Sequence, residues 1–332
     1  MLKFYHILPV VGALVLAGGA QAQTVDIDYD TSASVPNTVN VTGATDGAVI
    51  SNTTENTGAQ TGDADANNIN VSITGSVTDV SPLKVKDNGI SAVAYGADSS
   101  NSIDVDGLGG ASANIGNLNI NSGTITSTAS TNTVEINVGG FAAGDAEVIG
   151  NSIESDGTAN YASNSVKGDF SDQALTSASP SATTSLDSTT SLDEVNTATV
   201  NYSIGNLQLN DATGTVTSDA DSNTIQITSA GDAGGTDTVD AEVDDNSISA
   251  VGRGNVGVNT VDGTNGGSAN SFGIASAQIQ DASVTTSANG NTISFNTTAT
   301  TGIVSSLATV NNNSISATSV GNQVVNSIRV SQ

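Results

Sequence analysis

Asn246-Ser247-Ile248-Ser249-Ala250 is followed by Gly254-Asn255 and Asn259-Thr260-Val261, and the C-terminal stretch repeats that frame as Asn313-Ser314-Ile315-Ser316-Ala317, Gly321-Asn322 and Asn326-Ser327-Ile328. Two earlier copies run from Asn88-Gly89-Ile90-Ser91-Ala92 to Asn101-Ser102-Ile103, and from Asn151-Ser152-Ile153-Glu154-Ser155 to Asn164-Ser165-Val166. In all four copies the first and last Asn lie 13 residues apart. A chain rich in Ser, Thr, Asn and Gly and poor in aromatics has the composition of disorder, but disorder has no reason to hold a spacing. Within each copy apolar and polar residues alternate, which is the period of a strand and not of a helix.

Two further motifs recur between these copies. One is an Asn followed by alternating apolar residues, in Asn132-Thr133-Val134-Glu135-Ile136, Asn223-Thr224-Ile225-Gln226-Ile227, Asn291-Thr292-Ile293-Ser294-Phe295 and, more loosely, Asn67-Asn68-Ile69-Asn70-Val71. The other is Ile115-Gly116-Asn117-Leu118-Asn119-Ile120, Ile204-Gly205-Asn206-Leu207-Gln208-Leu209 and the related run Ile274 to Ile279. Copies of the first motif start 63 and 67 residues apart at the two ends of the array and 95 apart in the middle. Three motifs per unit of 63–67 residues predict about three coils per repeat in an all-β solenoid, either a β-helix or stacked strand-turn-strand arches. A β-sandwich array would share the same alternation. Gly-Asn is expected to supply the turn between the two strands of each arch, since both residues tolerate positive φ. Asn88, Asn151, Asn246 and Asn313, and likewise Asn101, Asn164, Asn259 and Asn326, are expected to form side-chain ladders up the stack.

The chain divides on composition. Residues 1–22 have a short basic start, an apolar run and Ala20-Gln21-Ala22, the pattern of a secretory signal peptide cleaved before Gln23. Residues 23–66 fit the repeat poorly and read as an N-terminal leader or cap, and 67–332 as the solenoid. A Ser/Thr-rich insertion at about 171–193 accounts for the long central spacing and reads as a protruding loop or a linker. No later segment has the apolar length of a membrane-spanning helix. These features predict a secreted protein, extracellular or at the cell surface.

Six Lys and Arg stand against 33 Asp and Glu, a net charge of −27 that becomes one unit more negative when Lys3 leaves with the signal. Such a surface repels phosphate, which excludes nucleic acid as a partner. There is no Cys, so stability has to come from repetition, packing or bound ions. Beyond residue 22 there is no His and the cations are Lys84, Lys86, Lys167, Arg253 and Arg329, which leaves little for acid–base or charge-stabilising catalysis. No enzyme activity, catalytic site or organic cofactor is expected. The one chemical candidate is Ca²⁺, which takes oxygen ligands. Asp26, Asp28 and Asp30 place three carboxylates at alternate positions, on one face of a strand, although neither an EF-hand loop nor a calcium β-roll nonapeptide is completed. Tyr95, Tyr161, Tyr202, Phe141, Phe170, Phe272 and Phe295 are spread over the repeats and read as fillers of core gaps and corners.

The run Gly321-Asn322-Gln323-Val324-Val325-Asn326-Ser327-Ile328, with the same alternation of Asn-Ser-apolar strands and Gly-Asn in the earlier copies, resembles the curlin-type repeats of bacterial functional amyloids and the β-strand repeats of holdfast-anchor-type surface proteins. Asn stands here where curlin repeats place Gln. The resemblance implies a secreted subunit or surface anchor in an adhesive matrix. The expectation is therefore an exported bacterial structural protein that self-associates, or joins other matrix components, in an extracellular fibre or biofilm matrix. The alternative is a monomeric surface adhesin displaying a β-solenoid to a receptor or polysaccharide.

Overall fold

The computed structural model describes residues 24–29, 38–42, 47–77, 83–104, 112–141, 144–170, 183–188, 202–229, 237–265, 272–297 and 303–331. They form 23 strands and no helix. β1 (Thr24–Tyr29) and β2 (Thr38–Thr42) precede a first coil of β3 (Gly47–Asn56), β4 (Gln60–Asp63), β5 (Asn68–Val77), β6 (Leu83–Lys86) and β7 (Gly89–Asp104). The second coil is β8 (Ser112–Asn121), β9 (Ile125–Thr128), β10 (Thr133–Phe141), β11 (Gly144–Ile149) and β12 (Ser152–Asp169). After β13 (Thr183–Ser188), the third coil is β14 (Tyr202–Asn210), β15 (Val216–Asp219), β16 (Thr224–Ser229), β17 (Asp237–Asp244) and β18 (Ser247–Thr264). The fourth is β19 (Phe272–Gln280), β20 (Val284–Ser287), β21 (Thr292–Thr297), β22 (Ile303–Asn311) and β23 (Ser314–Ser331).

Strands at the same place in successive coils pair in parallel, giving five four-stranded sheets: β3-β8-β14-β19, β4-β9-β15-β20, β5-β10-β16-β21, β6-β11-β17-β22 and β7-β12-β18-β23. The chain is an all-β solenoid. One whole repeat makes one coil, as Asn151 stacks on Asn88 63 residues earlier and Asn313 on Asn246 67 residues earlier. The spacing of the three motifs had suggested about three coils per repeat, and the correction has a physical cause. Each motif builds a different wall of one wide coil, and the other two walls are made partly of four-residue strands such as Ile125–Thr128, too short to show a period.

The corners differ from expectation as well. Gly254-Asn255 lies inside the unbroken 18-residue strand β18, and neither residue has positive φ. The inward-facing set changes parity there: Ile248, Ala250, Gly252 and Gly254 are followed by Asn255, Gly257, Asn259 and Val261, so the strand bends without ending. Glycine is needed for space, because a Cβ on Gly254 would collide with the carbonyl oxygen of Gly321 in the next coil. The left-handed residues sit just before the corner asparagines instead. One column is Ala66, Thr131, Ser222 and Gly290, with φ of 58, 59, 59 and 65°; the other is Asp87, Gly150, Asp245 and Asn312, with φ of 54, 67, 53 and 48°.

The bend divides the interior into two lobes. Before it, Ile90, Ile153 and Ile248 pack with Val134, Ile136, Val148, Ile225, Ile227 and Val243 in a hydrophobic core. After it, the same long strands face the first sheet across a layer of amides, in which Asn101 Nδ2 donates to Asn117 Oδ1 at 3.0 Å and Ser99 Oγ to Asn119 Oδ1 at 3.0 Å. Buried amides are tolerable only when paired, and stacking makes each coil the partner of the next. At the lobe's edge Phe170, Tyr202 and Phe272 meet with ring centroids 4.6–5.3 Å apart. Those three aromatics are thus gathered, not spread; the shared register of Tyr202 with Phe272, each leading the same motif, was the available signal.

The first coil begins at Gly47, within the stretch read as leader or cap, because β3 and β4 pair in register with β8 and β9. Its membership is hard to see in sequence since Thr53 and Glu55 occupy the places of Leu118 and Ile120. β13, from the Ser/Thr-rich insertion, pairs in parallel with β1, which also pairs antiparallel with β2.

Candidate functional site

The asparagine columns are the most regular chemistry of the interior. At the corner, Asn88 Nδ2 donates to Asn151 Oδ1 (2.9 Å), Asn151 Nδ2 to Asn246 Oδ1 (3.0 Å) and Asn246 Nδ2 to Asn313 Oδ1 (3.0 Å). The same oxygens also accept the backbone N–H of the Asn in the coil before, at 3.1, 2.9 and 3.0 Å. Past the bend, Asn101, Asn164, Asn259 and Asn326 form a second unbroken column with Nδ2–Oδ1 distances of 2.8, 2.9 and 2.8 Å. The eight ladder positions read from the sequence are therefore brought together in two columns. Sequence reasoning missed a third column, Asn67, Asn132, Asn223 and Asn291, in which each backbone N–H donates to the next Oδ1 at 2.8–2.9 Å. It also missed the column Asn160, Asn255 and Asn322 at the bend, with 2.7 Å steps.

All of these contacts run one way. The coil nearer the N-terminus donates and the coil nearer the C-terminus accepts. Each column consequently has an oxygen end at the first coil and an N–H end at the fourth.

Among the described residues the outer edge of the fourth coil is uncovered. Ile315 occupies the column of the fully buried Ile248 yet is 46 % exposed, and Ile328 in the column of buried Val261 is 49 % exposed. Val310, Val324 and Val325 are also exposed, so among the described residues five of the seven large exposed hydrophobics belong to this coil. A depression lined by Asn291, Thr292, Ile293, Asn313 and Ile315 marks where the apolar lobe reaches the surface. The five strands β19 to β23 are each the last of their sheet, and among the described residues no strand pairs with their outer edges. An open edge is a template for another strand.

Titratable groups are tied to the packing. Burial pushes the Tyr202 phenol up to about 12. Asp219 is raised by burial and by the charge of Asp221 beside it. The ion pairs Lys84–Glu147 at 2.7 Å and Arg253–Asp156 at 2.6 Å join neighbouring coils on the outside. Among the described residues no three His, Cys, Asp or Glu side chains are grouped to hold a metal. Of the calcium candidates, Asp26 and Asp28 lie on β1, the placement of their side chains falls outside what is described, and Asp30 lies outside the described residues. Comparison with known proteins finds no matching family model, curated protein or solved structure.

Proposed function

We propose that this chain is an exported structural protein that associates with itself into an extracellular fibre or adhesive matrix. The observation that carries the reading is the fourth coil, where Val310 on β22 and Ile315 and Ile328 on β23 stand exposed in columns that are buried in the interior coils, and where among the described residues no strand pairs with the outer edges of β19 to β23. Soluble monomers protect such edges with charge, bulges or a covering element. Here β23 keeps the residue pattern of β18, with Ile315, Ala317, Asn322 and Asn326 in register with Ile248, Ala250, Asn255 and Asn259. A coil with the same pattern above it would bury what β23 leaves open. The role is mechanical, and the signal-peptide pattern of residues 1–22 supports a location outside the cell.

Negative-stain electron microscopy of the purified chain at low salt, at high salt and with Ca²⁺ tests this. Filaments or sheets in any of the three are the expected result. Isolated rods of one molecule in all three would sink the reading and favour a monomeric adhesin.

A further inference from the structure

Resting on the self-association reading, we infer that copies join head to tail in one register, the fourth coil of one chain seated on the first coil of the next, so that the assembly is polar and open-ended. The occupant of the open end is a second copy of this chain, and three observations select its first coil.

The first is the direction of the amide columns. At the fourth coil no acceptor lies beyond Asn313 and Asn326 among the described residues, whereas each interior Asn finds one in the coil after it, and Asn313 Nδ2 uses one hydrogen on the Val243 carbonyl at 2.8 Å. Asn88 and Asn101 open the columns at the first coil, where no described coil stands before them to donate to their oxygens. Seating fourth coil on first coil points N–H at oxygen, and the step repeats the interior geometry. Two fourth coils face to face would oppose donor to donor and turn their strands antiparallel.

The second is a column of alternating charge on the outer face. Asp104 is in register with Lys167, Lys167 with Asp262 and Asp262 with Arg329. Next in the alternation comes an acid, and the first coil of a following copy supplies Asp104. A chain with only six cations places two of them in this column. Exposed pairs of this kind set orientation and register more than affinity.

The third is pattern. Ile315, Ala317, Asn326 and Ile328 hold the same column positions as Ile90, Ala92, Asn101 and Ile103, so the junction continues both lobes. A contact between two different surfaces that does not close on itself generates a filament.

Disulfide cross-linking tests the register, because the chain has no Cys of its own. Ser102 and Ser327 end one outer column, Ser102, Ser165, Thr260 and Ser327, and in one chain they stand three strand spacings apart, about 14 Å, too far to bridge. Across the inferred junction they are neighbours at about 4.8 Å, within reach of a disulfide. The chain carrying both Ser102→Cys and Ser327→Cys is assembled under reducing conditions, then oxidised and run on a denaturing gel. The expected result is a covalent ladder of three or more chains, with no oligomer from either single variant. Dimers from Ser327→Cys alone would mean a tail-to-tail junction, and filaments that give no ladder from the double variant would mean another register; either overturns this inference and leaves self-association standing. Particles of one chain only, by light scattering in every condition, would remove the self-association reading and this one with it.

Discussion

Ile248 and Ile315 occupy one column yet differ completely in environment, the first fully buried and the second 46 % exposed. Ile248→Asp buries a carboxylate with no partner and should destabilise the fold by about 3–5 kcal/mol. Ile315→Asp, at the open end, should cost less than about 1 kcal/mol. Urea melts of the two variants at low salt check the pair, and equal losses would mean that the fourth coil is covered. Tyr202 gives a test by pH. Burial favours its neutral phenol, so the folded state keeps a proton that the unfolded state gives up near the ordinary value of 10.0. That stabilisation is fully present below pH 10.0 and is lost as pH rises toward about 12. Tyr202→Phe should flatten the fall in melting temperature over that window, and a slope equal to that of the wild type would place the alkaline transition elsewhere.

At the scale of elements the corners are decisive. Thr131 is a β-branched residue held at φ of 59°, a conformation that costs L-residues about 1–2 kcal/mol, while Gly150 holds the corresponding conformation at its own corner without that cost. Thr131→Gly should therefore raise stability by about 0.5–1 kcal/mol, the gain being trimmed by the entropy glycine adds to the unfolded chain. Gly150→Thr should lower it by a similar amount or more; differential scanning calorimetry reads both. These corners also explain how much was legible in sequence. Alternation around Ile248 and Ile136 carries the strand periodicity and the inward face, and the fixed Asn spacing carries the columns. The left-handed residues carry no shared identity, being Ala, Thr, Ser and Gly in one column, because the Asn after them secures the corner through the next coil. Gly254-Asn255 looks like a turn in sequence and is a bend in space, for a turn and a tight packing contact both call for glycine. The exposure of Ile315 is not written in its local sequence, which matches that of Ile248; the two differ in what lies above them.

In the proposed assembly the contact at the fourth coil works against a net charge of −27. The brake is long-range and screenable, whereas the contacts at the end coil are short-range amide and apolar contacts that salt leaves nearly intact. Elongation followed by light scattering should therefore speed up as salt rises from about 10 mM to about 300 mM, where the Debye length falls from about 30 Å to below about 8 Å. It should speed up again as pH falls from 7 toward 4, where carboxylates begin to take up protons. Because the amide columns do not titrate, filaments formed at either pH should share one axial repeat set by four coils of about 4.8 Å each. Growth that is fastest at low salt would show that the outer charge column, not the net charge, governs encounter between chains, since screening would then remove an attraction.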